Sequence, residues 1–235
     1  VQSRYQGRTL RADEVIYNPV ADAPAAEPHP AVPRDARLKV ACLSNYAWIR
    51  GVDRLVDVAV ELASRGRNDI LFVLAGTMRL PRSLPGALGE VARQGGTLAD
   101  YAAARGVAAS FLFLGHVPDP ERVLAACDVL AKPTREDNPW GRDILEAMAA
   151  GRPVITNGRY DRFVRDGENG VLLPAFETGS FAQRLAALAD DRALVGRLGA
   201  AARAHVLKLC DARARAADLA AVWRIAAVKM AGGSR

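Results

Sequence analysis

Six short apolar runs punctuate the chain between residues 38 and 173. Leu38–Ser44 (LKVACLS), Asp69–Gly76 (DILFVLAG) and Ser110–Gly115 (SFLFLG) are almost continuously apolar, the pattern of strands covered on both faces. Asp128–Lys132 (DVLAK), Pro153–Thr156 (PVIT) and Gly170–Leu173 (GVLL) are shorter versions, the last one following an Asp166-Gly167 turn. Between the runs the period lengthens. Val52–Arg65 is apolar at 52, 55, 56, 59, 60, 62 and 63 and closes at Gly66, a helical signature. Leu84–Arg105 reads as two helical pieces broken at Gly95-Gly96, and Pro120–Ala126 as a short helix. Three helical segments, Gly179–Leu188, Asp191–Leu209 and Asp211–Met230, close the chain. Strands alternating with helices predict an α/β domain: a doubly wound parallel sheet of about six strands with helices on both faces. Ligands bind such sheets in the crevice at the strands' carboxyl ends. Ser44–Gly51, Gly76–Arg79, Gly115–Pro118 and Thr134–Asp143 all reach that edge.

Upstream of the first strand the pattern changes. Glu14-Val15-Ile16-Tyr17 is strand-like, and Pro19, Pro24, Pro28, Pro30 and Pro33 then crowd a short stretch, as in a linker or surface arm outside the core. Residues 1–34 are therefore expected to be the tail of a preceding unit plus a linker, with the main domain at 35–210 and a C-terminal helix at 211–235.

The stretch with most chemistry is Pro133–Pro153, PTREDNPWGRDILEAMAAGRP. Asn138-Pro139 is expected to start a helix, because the residue before proline is pushed out of the α region and proline suits the first turn. Trp140-Gly141-Arg142-Asp143 would open it, with Gly141 leaving the backbone accessible. Free N–H groups at a helix start form an anion site. Glu146, about two turns in among apolar residues, could accept hydrogen bonds from sugar hydroxyls. The alternative is an amphipathic helix in which Glu146 pairs with Arg142 at i,i+4.

Composition narrows the classes. The net charge is +6 and the pI about 9.6. The excess is concentrated from Ala201 onward, where seven Lys/Arg face two Asp. Such a tail can be a solvated helix face or can meet an acidic membrane, a nucleic acid or a partner domain. Cys42, Cys127 and Cys210 are far apart and in apolar contexts, which fits buried reduced thiols and a cytoplasmic protein. His29, His116 and His205 show no metal-ligand spacing with them, so no metal is expected. A nicotinamide-dependent dehydrogenase needs a Gly-x-Gly-x-x-Gly turn after a strand. Asn45-Tyr46-Ala47-Trp48 after the first strand offers none.

Five blocks in order resemble the C-terminal, donor-binding half of the retaining glycosyltransferases of family 4, with the GT-B fold. They are LKVACLSNYAWIRGVDRLVDVAVEL, ILFVLAG, FLFLGHVPDPERVLAACDVLAKPT, GRDILEAMAAGRPVIT and VRDGENGVLL, together covering roughly Val15–Arg203. The resemblance implies transfer of a sugar from a nucleotide-diphosphate sugar, UDP- or GDP-linked, without metal or other cofactor and with retention at the anomeric carbon. Glu146 matches the family's ribose-binding Glu. Arg50, followed by Gly51, matches the Lys of its Lys-Gly turn, which sets a cation against the diphosphate. Pro139, Trp140, Gly141, Arg142 and Asp143 match the stretch that holds phosphate, His116 and Val117 the loop framing the base, and Ala75-Gly76 the loop near the donor.

Three positions depart from the pattern. The family's first Glu, a donor-sugar contact, falls on Asn138, with Glu136 and Asp137 close enough to substitute as catalytic candidates. Its usual Arg falls on Asn45, and a further Glu falls on Arg162, near Asp161. The resemblance further implies that the partners are a nucleotide sugar and an N-terminal acceptor-binding half absent from this sequence, toward which the 211–235 helix would pack. In the full-length enzyme the basic tail is compatible with peripheral contact at the inner face of a membrane, and no nucleic acid is expected. The alternative function is a non-catalytic module that binds a nucleotide sugar. Lys132, at a strand end, could also reach phosphate, while Tyr46, Trp48 and Trp140 are expected mainly to pack.

Overall fold

The computed structural model describes residues 16–22, 26–137 and 139–232, with side chains described to 224. Its core is one sheet of six parallel strands: β1 Leu38–Leu43, β2 Ile70–Ala75, β3 Phe111–Gly115, β4 Val129–Lys132, β5 Val154–Asn157 and β6 Gly170–Leu173. The strand order is β3-β2-β1-β4-β5-β6. Each strand lies within one residue of its apolar run, because strands buried on both faces leave no polar positions to blur their ends.

Helices cover both faces. On one, α1 (Arg54–Ser64), α2 (Gly86–Arg93), α3 (Leu98–Ala104) and α6 (Thr178–Asp190) bury Leu55, Leu88, Leu98 and Phe181 against Val40, Phe72 and Leu74 of the strands. On the other, α4 (Pro120–Ala126), α5 (Arg142–Ala149) and α7 (Arg192–Leu209) bury Leu124, Ile144, Met148 and Val206 against Ala41, Val73 and Leu130. The alternation of side chains along each strand supplies both layers. α8 (Ala212–Gly232) follows; its first side chains leave Leu219 and Trp223 exposed, the latter at 66%.

Three expectations need correction. The Pro-rich arm is not wholly outside the core: Val32 is 5% exposed and packs with Val123 and Leu124, and the His29 N–H donates to the Arg122 carbonyl at 2.9 Å. A single apolar residue among prolines carries no periodicity, so its burial has no local signal. Ile16 and Tyr17 form no strand; Glu14 and Val15 lie outside the described residues. Tyr17 instead sets its ring edge-on against Phe163 at 5.1 Å. The helix expected to begin at Pro139 begins at Arg142, capped by Gly141. Pro139 is buried in the preceding loop, where a Cβ on Gly158 would overlap its ring.

Candidate functional site

β1 has β2 on one side and β4 on the other, so the order in which strands are added to the sheet reverses between these two parallel strands and the loops leaving them diverge. The crevice so formed is a cleft of about 980 Å³. One wall is the segment after β1. Its Ser44–Asn45 stretch leads into a 3₁₀ turn, Trp48–Arg50, ended by Gly51 in the left-handed region at φ 67°. Arg50 reaches the cleft, where its guanidinium donates to Ser44 Oγ at 3.1 Å and, among the described residues, pairs with no carboxylate. The opposite wall is the loop after β4 and the start of α5, which contribute Lys132, Thr134, Glu136, Trp140, Gly141, Arg142, Asp143 and Glu146. Gly76 after β2, and His116 and Val117 after β3, complete it.

The two walls are tied together. Arg135 donates to both carboxylate oxygens of Asp53, at 2.9 and 2.6 Å, in a pair whose side chains are 16% and 8% exposed. The same guanidinium donates to the Trp48 carbonyl at 2.6 Å and stacks over the Trp48 ring at 3.4 Å. Arg135 N–H reaches the Ile49 carbonyl at 2.9 Å, and Arg54 donates to the Thr134 carbonyl at 2.6 Å. A bidentate guanidinium–carboxylate pair fixes direction as well as distance. The turn bearing Arg50 therefore cannot move independently of the loop bearing Glu136.

The floor carries a second ion pair. Lys132 Nζ donates to Asp143 Oδ1 and Oδ2 at 2.7 and 2.8 Å, with side chains 14% and 15% exposed. Beneath it, Cys42 in β1 is buried, which pushes its thiol up to about 12; Asp143, Lys132 and Arg50 are all near enough to act on it. On the rim, Arg142 donates to Glu146 Oε1 at 3.1 and 2.8 Å. The i,i+4 pair and the cleft position of Glu146 thus coexist.

Of the residues singled out from the sequence, Asn45, Arg50, Ala75, Gly76, His116, Val117, Lys132, Glu136, Trp140, Gly141, Arg142, Asp143 and Glu146 line this cleft. Gly51, Pro139 and Asp137 do not. Gly51 lies behind Arg50, where a Cβ would overlap the Pro133 carbonyl. Pro139 is buried, and Asp137 is exposed and accepts at its carbonyl from Arg159 N–H at 3.0 Å. Asn138 lies outside the described residues. Trp140 packs its ring on Phe163 at 6.0 Å and is also 42% exposed in the cleft. Trp48 is 46% exposed, whereas Tyr46 is buried. Asn45, in place of the family's Arg, is committed to the fold, its Oδ1 accepting from Thr77 N–H at 2.8 Å. Ser44, Ile49 and Thr134, in the segments expected at this edge, also line the cleft, as does Asn18. Asn18 carries no motif and is brought there by tertiary packing alone.

Strand order, two helical layers and a cleft at the switch point define a Rossmann-like domain. Residues 37–191 match the family of group 1 glycosyl transferases, and the chain belongs to that family. It is similar to a D-inositol 3-phosphate glycosyltransferase of Nocardia farcinica, 33% identical over 171 residues, which are 71% of this chain and 36% of that relative. It is also similar to a phosphatidyl-myo-inositol mannosyltransferase of Mycobacterium leprae, 36% identical over 102 residues, 42% of this chain and 27% of the relative. The chain thus spans about a third of the length of the curated relatives it matches. Among solved structures, HepE of Anabaena in complex with UDP-glucose superposes with a TM-score of 0.67 at 23% identity, over 80% of this chain and 49% of that one. The C-terminal domain of the group 1 glycosyl transferase LpcC of Francisella tularensis gives 0.59 at 20% identity, over 73% of this chain and 85% of that one. At these identities the likeness is one of fold, that of the GT-B glycosyltransferases.

Proposed function

We propose that this chain is the donor-binding half of a glycosyltransferase that moves a sugar from a nucleoside diphosphate to an acceptor hydroxyl with retention at the anomeric carbon. The observation that carries the reading is the convergence of Arg50, Lys132 and the start of α5 on one cleft, with Glu146 on the same helix one turn beyond Arg142. The cations and free helix N–H groups suit a diphosphate. Glu146 suits the ribose hydroxyls beside it. His116 and Val117, at the far wall, suit the base.

In transfer, the bond from the anomeric carbon to the diphosphate oxygen breaks and a bond to the acceptor oxygen forms, with the acceptor proton lost. Charge grows on the leaving diphosphate. Donors already aimed at that position stabilise it without reorganisation, which is how such a site lowers the barrier. Arg50, held by the Arg135–Asp53 clamp through its own turn, meets that requirement. Glu136 is the cleft-lining carboxylate nearest in sequence to Asn138, which suits it to the donor sugar.

The acceptor is assigned to a second half, against which α8 and its exposed Trp223 would pack, so this chain alone binds donor without transferring it. In the full-length enzyme the basic tail would let it work at the cytoplasmic face of a membrane. Titration with UDP, GDP and ADP, followed by calorimetry or amide shifts, tests the donor cleft. Saturable binding of at least one below millimolar is expected, and none would refute the reading.

A further inference from the structure

Packing does not explain the Lys132–Asp143 pair. Both side chains are largely withdrawn from water. At that depth the desolvation cost offsets most of the attraction, so an apolar pair of the same volume would serve stability as well. Its place is specific. Lys132 ends β4 at the switch point and Asp143 is the second residue of α5, so the pair lies on the cleft floor. It sits against Gly141, where a Cβ would collide with both the ammonium and the carboxylate. The Lys132 carbonyl is itself held, accepting from Thr156 Oγ1 at 2.8 Å and from Thr134 N–H at 2.9 Å. An ammonium has three donors. Two contacts go to the Asp143 oxygens, which leaves one donor uncommitted to them on a side chain that lines the same cleft as Arg50.

We propose that Lys132 binds the diphosphate of a nucleoside diphosphate and that Asp143 is its counter-ion in the empty cleft. The proposal rests on the donor-cleft reading above and adds to it the balance of charge between Lys132, Asp143 and the diphosphate. Without ligand, Asp143 spares the protein a buried unpaired ammonium. With ligand, a phosphate oxygen accepts the remaining Lys132 donor, and the Asp143 charge opposes the anion it adjoins. Lys132 thus raises affinity for the diphosphate while Asp143 limits it, which keeps the leaving nucleotide from being held too tightly.

The test is a cycle of Lys132→Met, Asp143→Asn and the double variant, titrated with UDP, GDP and ADP by calorimetry at low and high salt. Methionine keeps the buried stem. Lys132→Met should weaken nucleoside diphosphate binding on the order of tenfold to a hundredfold and make it less salt-sensitive. Asp143→Asn should bind as tightly as wild type or more tightly, and the double variant should bind better than Lys132→Met alone. Wild-type affinity in Lys132→Met overturns the assignment of Lys132. Equal weakening by both single variants, with no recovery in the double, shows a structural pair and also overturns it. If Lys132→Met does not fold, the sign for Asp143→Asn decides, since weaker binding contradicts the counter-ion role. Wild-type protein that binds none of the three nucleotides refutes the donor-cleft reading itself; wild-type binding with indifferent variants refutes only this inference.

Discussion

Replacing Glu146 by Gln separates the two roles its position allows. As a structural residue Glu146 is one half of an i,i+4 pair with Arg142, whose side chain is 78% exposed while that of Glu146 is 34% exposed. Pairs of that kind contribute about 0.3–0.5 kcal/mol. In a domain of this size that corresponds to a melting shift of roughly 1–2 °C. As a ribose ligand, Glu146 accepts hydrogen bonds on a carboxylate, and losing a charged acceptor costs about 1.5–3 kcal/mol. That is roughly a tenfold to 150-fold rise in Kd. The two roles therefore differ in which quantity moves. Glu146→Gln is expected to melt within about 2 °C of wild type and to bind its nucleoside diphosphate at least about tenfold more weakly. A nucleotide lacking the ribose 2′- and 3′-hydroxyls sharpens the comparison: wild type should lose affinity for it, and the variant should barely distinguish it from the parent. Calorimetric titration of both proteins with both nucleotides closes the cycle. Unchanged nucleotide affinity with a lowered melting temperature would refute the ribose role and leave Glu146 a surface partner of Arg142.

One further substitution and two conditions follow from the same geometry. Gly51→Ala puts a Cβ at φ 67° against the Pro133 carbonyl, a left-handed strain of about 1–3 kcal/mol before the overlap is counted; an unchanged melting temperature would contradict the close approach of the two walls. Cys42, Cys127 and Cys210 are all buried, so a thiol reagent at neutral pH should titrate none of them in native protein and all of them in denaturant, and rapid native reaction of any one would overturn its burial. Burial raises the Cys42 and Cys127 thiols from 9.0 to about 12. Because the unfolded chain then gives up protons first, stability should be full below pH 9 and fall as pH rises toward 12, measured by denaturant titration across that range; a flat profile would refute the shift.

The legible part of this protein is what lies close together in the sequence. Strands buried on both faces appear as unbroken apolar runs, and so LKVAC and ILFVLA could be placed within a residue. Glu146 and the Trp140–Asp143 stretch share one helix and its approach, so the spacing along the chain is the spacing in space. The start of that helix differs from the expected one for a tertiary reason. Pro139 would suit a first turn, but its ring is packed against Gly158, and the chain enters helical geometry only at Arg142. Asn45 illustrates the converse: a polar residue in a cleft-lining loop whose side chain is spent on joining the loops after β1 and β2.

The illegible part is the pairing that topology creates. Arg135 and Asp53 are 82 residues apart, and nothing in either neighbourhood names the other. They meet because β4 pairs with β1 although β2 and β3 intervene in the chain. The same adjacency puts Lys132, the last residue of β4, in one cleft with Arg50, six residues beyond Ser44 and its turn. A right-handed parallel connection makes this crossing the expected one, but its register is set by packing within the sheet, where Val40 faces Val129 and Ala41 faces Leu130. A shift of one residue in that register would turn Lys132 to the other face of the sheet. Apolar residues in the middle of two short strands therefore decide whether the cleft has a second cation at all. The chemistry of the site is written at the strand ends, and its alignment is written in the core.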